Sequence, residues 1–143
     1  MKWFRSLAIA FSMYSSIPMP RVDWNQENMR YALCFFPLVG VVTGGGLWLL
    51  SWGCSMLSVG HVLFAVLAVL LPIAVNGGIH LDGLCDTADA LASHQTRERK
   101  LEILKDSHTG AFAVISCVVY LLLQFGLWSE VERSWSALGV LSA

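Results

Sequence analysis

Residues 31–81 read YALCFFPLVGVVTGGGLWLLSWGCSMLSVGHVLFAVLAVLLPIAVNGGIHL, 51 consecutive positions without an Asp, Glu, Lys or Arg. A spanning helix needs about 20 largely apolar residues to cross a hydrocarbon core about 30 Å thick. As one helix this stretch would measure about 76 Å, at about 1.5 Å per residue. That is too long for one crossing and enough for two with a turn between them. The turn is expected between Gly53 and Gly60, where Ser51, Ser55 and Ser58 add polarity. The reading is one span at about residues 31–52 and a second at about 61–79. A further charge-free run of 23 residues, Ser107 to Ser129, supplies a third span at about 110–128. A fourth begins at Trp135 and is cut off at Ala143.

Composition agrees. The 143 residues are 56% hydrophobic and 13% charged, with a mean hydropathy of +0.63, whereas soluble domains carry about 25% charged residues. The fold class expected is therefore all-α: a polytopic transmembrane helix bundle forming a single domain over residues 1–143. Disorder, a nucleic-acid-binding domain and a disulfide-stapled secreted module are excluded, and a net charge of −1 gives no attraction to polyanions. Cys34, Cys54, Cys85 and Cys117 form no C-x-x-C pair and are assigned no chemistry. Gly40 and Gly44 form a G-x-x-x-G read as close helix packing.

Lys2 and Arg5 precede LAIAFSMYSS at 7–16, which resembles a signal peptide, but no small-x-small cleavage site follows it. A short interfacial helix ended by Pro18 and Pro20 is expected instead. Lys2, Arg5, Arg21 and Arg30 precede the first span. Arg97, Arg99, Lys100 and Lys105 lie between the second and third, and only Arg133 follows. Two crossings return the chain to its starting side, so all eight of the former share one compartment. By the positive-inside rule it is the cytoplasm.

Three of the ten acidic residues, Asp82, Asp86 and Asp89, crowd into HLDGLCDTADAL at 80–91. On a helix Asp86 and Asp89 fall about 40° and about 20° either side of Asp82, so one narrow face carries all three. At about 6 Å and an effective dielectric near 20, neighbours repel by roughly 3 kcal/mol. Nothing basic lies between Ile79 and His94. The opposite face (Leu81, Leu84, Cys85, Ala88, Leu91, Ala92) is apolar, which argues against a solvated acidic helix. Such a face calls for protons or a cation. Hard oxygen donors without His or Cys at zinc spacing point to Mg²⁺, or Mn²⁺ in its place.

His80, about 200° from Asp82, falls off the acidic face, and His94 and His108 read as capping or hydrogen-bonding residues. Asn76-Gly77-Gly78 and Gly83 bracket the region as turn formers. In TRERKLEILKDSHTG at 96–110, Asp106 either completes a four-carboxylate site or only complements the dipole of the third span, with Ser107 and Thr109 available to cap it. The basic residues of this stretch serve topology, with one or two placed to meet a phosphate.

Four blocks carry a resemblance: AFSMYSSIPMP at 10–20, FFPLVGVVTGG at 35–45, GGIHLDGLCDTADAL at 77–91 and LKDSHTGAFAV at 104–114. Together they resemble the cobalamin synthase (adenosylcobinamide-GDP ribazoletransferase) family, and the third is the specific one. The resemblance implies an integral inner-membrane, Mg²⁺-dependent transferase. It joins adenosylcobinamide-GDP to α-ribazole or α-ribazole 5′-phosphate, releasing GMP and giving adenosylcobalamin or its 5′-phosphate. Family members are longer, which makes this chain an expected N-terminal portion. Asp82, Asp86, Asp89 and Asp106 are carried over as metal ligands, with Asp89 or Asp106 as the base. The expected substrate contacts are His80, Gly83, Arg97 and Lys105. Displacement at the β-phosphate needs charge neutralisation and in-line positioning more than a covalent intermediate.

Two other membrane transferase classes fit less well. CDP-alcohol phosphotransferases need A-R after D-G-x-x, where this chain has Asp86-Thr87. Membrane prenyltransferases use N-D-x-x-D-x-x-x-D, where this chain has D-x-x-x-D-x-x-D. A cation transporter would place its aspartates near mid-membrane rather than past the end of a span.

Overall fold

The computed structural model describes residues 2–106 and 108–131. Among these are seven α-helices: α1 (Lys2–Tyr14), α2 (Gln26–Met29), α3 (Ala32–Met56), α4 (His61–Asn76), α5 (Ile79–Ala92), α6 (Arg97–Ile103) and α7 (Ala111–Glu130). By length and apolar content α3 and α7 can each cross a membrane. A third crossing is reached only if α4 and α5, bent by 92° at their junction, are taken as one broken span. The chain is a helical membrane protein. The expected fourth span and Arg133 lie outside the described residues.

The first span ends four residues later than expected, and the turn after it occupies 57–60. Ser58 there adopts a left-handed φ of 53°. The second ends earlier than expected. Gly77 takes a left-handed φ of 63°, and the Gly78 N–H bonds the Ile73 carbonyl at 3.1 Å, closing α4 in a Schellman turn. Gly78 is itself left-handed (φ 75°), so the chain leaves in a new direction and α5 begins at Ile79. Two consecutive residues at positive φ are cheap only for glycine, and they make the elbow between α4 and α5.

The segment after α1 braces that elbow. The Ser16 N–H donates to the Val75 carbonyl at 2.8 Å, and the Ser16 hydroxyl donates to the carbonyls of Ala74 and Val75. These satisfy carbonyls that the end of α4 leaves without intrahelical partners. The bonds also join the chain preceding α3 to the far end of α4, so α3 and α4 form a hairpin with both ends on one side. The α1 helix crosses the start of α3: Trp3 stacks on Tyr31 at 5.1 Å, and Tyr14 meets Phe36 edge-on at 4.8 Å. Five residues of α3 rise only about 7 Å, so α1 runs across the hairpin mouth rather than along it, as an interfacial helix would. It ends at Tyr14, ahead of Pro18. The Ser15 hydroxyl bonds the Phe11 carbonyl, and Ser16 turns to α4, so the elbow rather than the prolines sets the end.

Both α3 and α7 pack on α4. Leu47, Cys54, Phe64 and Ala68 form the buried centre, with Trp128 of α7 and Leu71 against it. The close approach between α3 and α4 is at Gly46, where an added Cβ would lie 3.2 Å from Leu71. At Gly40 a Cβ would meet nothing within 4 Å. Of the expected G-x-x-x-G pair, Gly44 is buried and Gly40 is exposed, so only the second glycine lies in the packed part of α3.

Candidate functional site

The acidic segment is helical, so Asp82, Asp86 and Asp89 do share a face of α5. Their surroundings differ. Asp82 is exposed in the first turn, where a carboxylate also suits the helix dipole; Asp86 and Asp89 are half-buried. Seven residues of helix separate Asp82 from Asp89 by about 10 Å along the axis. Asp89 is also drawn toward α7: Oδ2 accepts the Gly110 N–H at 2.6 Å and Oδ1 accepts the Ala113 N–H at 2.8 Å. It thus serves as the N-terminal cap of α7 from another helix, the role expected of Ser107 or Thr109. Ser107 lies outside the described residues.

Packing between α5 and α7 follows this side of α5. Cys85, one turn before Asp89, lies beside Cys117 of α7. On the opposite, apolar face Leu81 is half-buried, whereas Leu84 is 37% and Leu91 61% exposed. Helix α5 is held by a polar seam, with Ala90 its buried residue.

Asp106 is engaged differently. Its Oδ1 pairs with His108 Nδ1 at 2.6 Å and accepts the His108 backbone N–H at 3.1 Å. The His108 imidazole hydrogen bond and then its N–H hold the Asp106 carboxyl below its ordinary range, and the same contact raises His108. Among the described residues no three His, Cys, Asp or Glu side chains lie together as a metal-holding group. The structure therefore does not gather the four expected carboxylates at one point. It leaves Asp82 and Asp86, one turn apart, without a hydrogen-bond or ion-pair partner among the described residues.

The expected substrate contacts scatter around α5. An added Cβ at Gly83 would meet nothing within 4 Å, so this surface of α5 is open. Arg97 and Lys105 are exposed on and just after α6; Arg97 lines a groove with Thr87 and Leu91, and neither residue has an ion-pair partner among the described residues. His80 points away from the aspartates, its ring edge-on to Phe36 at 6.4 Å.

His80 instead lines a cleft of about 740 Å³, with α4 as its floor and α3 and α7 as its walls. Its polar lining includes Asn76, Tyr120 and Gln124. Asn76, Tyr120 and His80 continue into a recess of about 290 Å³ reaching Gly78 and Leu81 at the start of α5. Sequence reasoning missed Tyr120 and Gln124. Their signal was the i, i+4 spacing of two large polar side chains in a charge-free span.

Comparison with known proteins adds a family to this geometry. The family model described as cobalamin-5-phosphate synthase matches residues 6–143. A protein of Lachnoclostridium phytofermentans named adenosylcobinamide-GDP ribazoletransferase is 54% identical over 129 residues, 90% of this chain and 49% of that protein. Proteins of the same name from Desulfitobacterium hafniense and Clostridium perfringens are 43% identical over 127 residues and 39% over 134. These cover 86% and 92% of this chain and 48% and 53% of the relatives. The chain spans about half the length of the curated relatives it matches. No solved structure matches it.

Proposed function

The chain belongs to the cobalamin-5-phosphate synthase family, and from that premise we propose that it forms part of a membrane transferase joining adenosylcobinamide-GDP to α-ribazole or its 5′-phosphate, with release of GMP. The relatives' shared name supplies the substrates. The observation that carries the reading to particular residues is the pair Asp82 and Asp86, unpartnered and one turn apart at the elbow end of the bundle.

A preformed cage of protein ligands is not what these residues offer. Two neighbouring carboxylates do suit Mg²⁺, which keeps much of its water and is commonly held by one or two carboxylates together with substrate phosphates. Asp82 and Asp86 would hold the ion, with Mn²⁺ able to replace it, and when bound it neutralises diphosphate charge. Asp89 supports the site by fixing α7 to α5. The ribazole hydroxyl attacks the β-phosphorus, the P–O–P link to GMP breaks, and the hydroxyl proton leaves. Of the two aspartates suited to take that proton, Asp89 has both oxygens engaged by backbone N–H groups, whereas Asp106 keeps Oδ2 without a partner among the described residues. Asp106 thus has the free oxygen, on a carboxyl that its His108 bonds make less basic. Arg97 and Lys105, exposed beside the helix, would meet the substrate phosphates, and the open surface at Gly83 admits them.

The side is proposed as cytoplasmic and the membrane as the inner one. The Ser16–Val75 bond joins the residues leading into α3 to the end of α4, so the basic residues before α3 and those on α6 fall at one end. The test is GMP release and cobalamin formation by the chain in membrane vesicles with adenosylcobinamide-GDP, α-ribazole and Mg²⁺. Chelation and Asp82→Ala or Asp86→Ala should each abolish product while membrane insertion persists. Full turnover in both variants would remove the assignment.

A further inference from the structure

We propose that the cleft over α4 seats the neutral heteroaromatic base of the attacking nucleoside, an inference that rests on the transfer reaction proposed above. At about 740 Å³ the cleft lies within the range of small-molecule sites, which favour spaces between bundle helices. Among the described residues no Asp, Glu, Lys or Arg lines it, so it offers no cation to a phosphate and no penalty to an uncharged ring. Phe36, Tyr120 and Trp128 present aromatic surface, against which a flat ring packs well.

Asn76, His80 and Gln124 supply the directional contacts. Each can donate and accept hydrogen bonds. The Asn76 carbonyl oxygen is buried and has no hydrogen-bond partner among the described residues, which is costly unless something satisfies the side chain. Thr43, also in the lining, already donates its hydroxyl to the Val39 carbonyl at 3.0 Å and is unavailable as a donor. A lipid acyl chain would use none of these polar groups. The recess that continues from the cleft reaches Gly78 and Leu81, at the start of the helix whose first turn carries Asp82. A base held in the cleft therefore directs its ribose toward the acidic helix. His80 has a role on this reading although it faces away from the aspartates: it contacts the base rather than the phosphates.

Photoaffinity labelling tests this on the unaltered chain in lipid nanodiscs, using an azido-substituted benzimidazole riboside. The label should map to peptides holding Asn76 or Tyr120 and Gln124, and α-ribazole should compete where guanosine does not. Equilibrium dialysis with α-ribazole supplies the second measurement. Asn76→Leu and Gln124→Leu should each weaken binding about tenfold. Gly126→Ala, which lies outside the cleft lining and whose added Cβ meets nothing within 4 Å, should leave it within about twofold. Competition by guanosine, labelling confined to other surfaces, absence of nucleoside binding, or unchanged affinity in both leucine variants would overturn the proposal. None of these outcomes bears on the Asp82 dependence of GMP release, so failure here is distinct from failure of the transferase reading.

Discussion

Asp89 of α5 and Gly110, the residue preceding α7, are joined by a 2.6 Å hydrogen bond from the glycine N–H to Oδ2, and a Cβ on Gly110 would stand 2.7 Å from both carboxylate oxygens. The absence of a side chain at 110 is what lets the carboxylate reach the helix terminus. One aspartate thereby ties together the two sequence blocks that carry the acidic residues.

Asp89→Ala should destabilise the chain by about 1–3 kcal/mol, because it leaves the N–H groups of Gly110 and Ala113 without their acceptor. Asp89→Asn keeps one carbonyl oxygen and should fall between. Thermal unfolding in detergent, followed by circular dichroism, gives the ranking. Equal stability of all three would show that the cap contributes nothing.

Gly110→Ala should act through the same contact. Its methyl group displaces the carboxylate, so combining it with Asp89→Ala should cost less than the sum of the two single changes. Additive losses would mean that the two residues act independently.

At the elbow, Gly78→Ala forces a Cβ onto a residue at φ 75° and should cost about 1–2 kcal/mol. Gly77→Ala adds a close approach to the strain, since its Cβ would lie 3.3 Å from that of Ser16. The second change should therefore also loosen the Ser16 bonds. Proteolysis between Ser15 and Trp24 should become faster in Gly77→Ala than in Gly78→Ala.

The Asp106–His108 contact sets a pH window. The His108 pKa is raised by its hydrogen bond to Asp106, so the stabilisation is complete below the unfolded histidine value of about 6.5 and is lost as pH rises through the folded pKa. The Asp106 pKa is lowered by the His108 hydrogen bonds, so its share is present above the unfolded carboxylate value and is lost as pH falls through the lowered folded pKa. NMR titration of the His108 ring should give a midpoint above the ordinary histidine value. Asp106→Asn should bring it back down.

The acidic residues show how far spacing alone reaches. The i, i+4, i+7 pattern foretold a shared face for Asp82, Asp86 and Asp89, and the helix delivers it. Spacing carries no information about a neighbouring helix, and α7 presents two unsatisfied N–H groups to Asp89. The same limit hid the cleft: the i, i+4 spacing of Tyr120 and Gln124 puts them on one face of a span, but Asn76 lies 44 residues before Tyr120 and no spacing links it to them.

The amino-acid sequence alone made legible that the chain is a helical membrane protein, where its long apolar helices lie and that Asp82, Asp86 and Asp89 fall on one helix. Each of these follows from hydropathy and helical period, which are properties of consecutive residues. The tertiary structure alone decided the 92° bend after Asn76, the bracing of that bend by Ser16, the capping of α7 by Asp89 and the meeting of Asn76, His80, Tyr120 and Gln124 around one cleft. Backbone groups left unpaired at helix ends, and polar side chains inside apolar spans, must find partners wherever packing puts them. Those partners come from distant parts of the chain, so only the folded molecule reveals them.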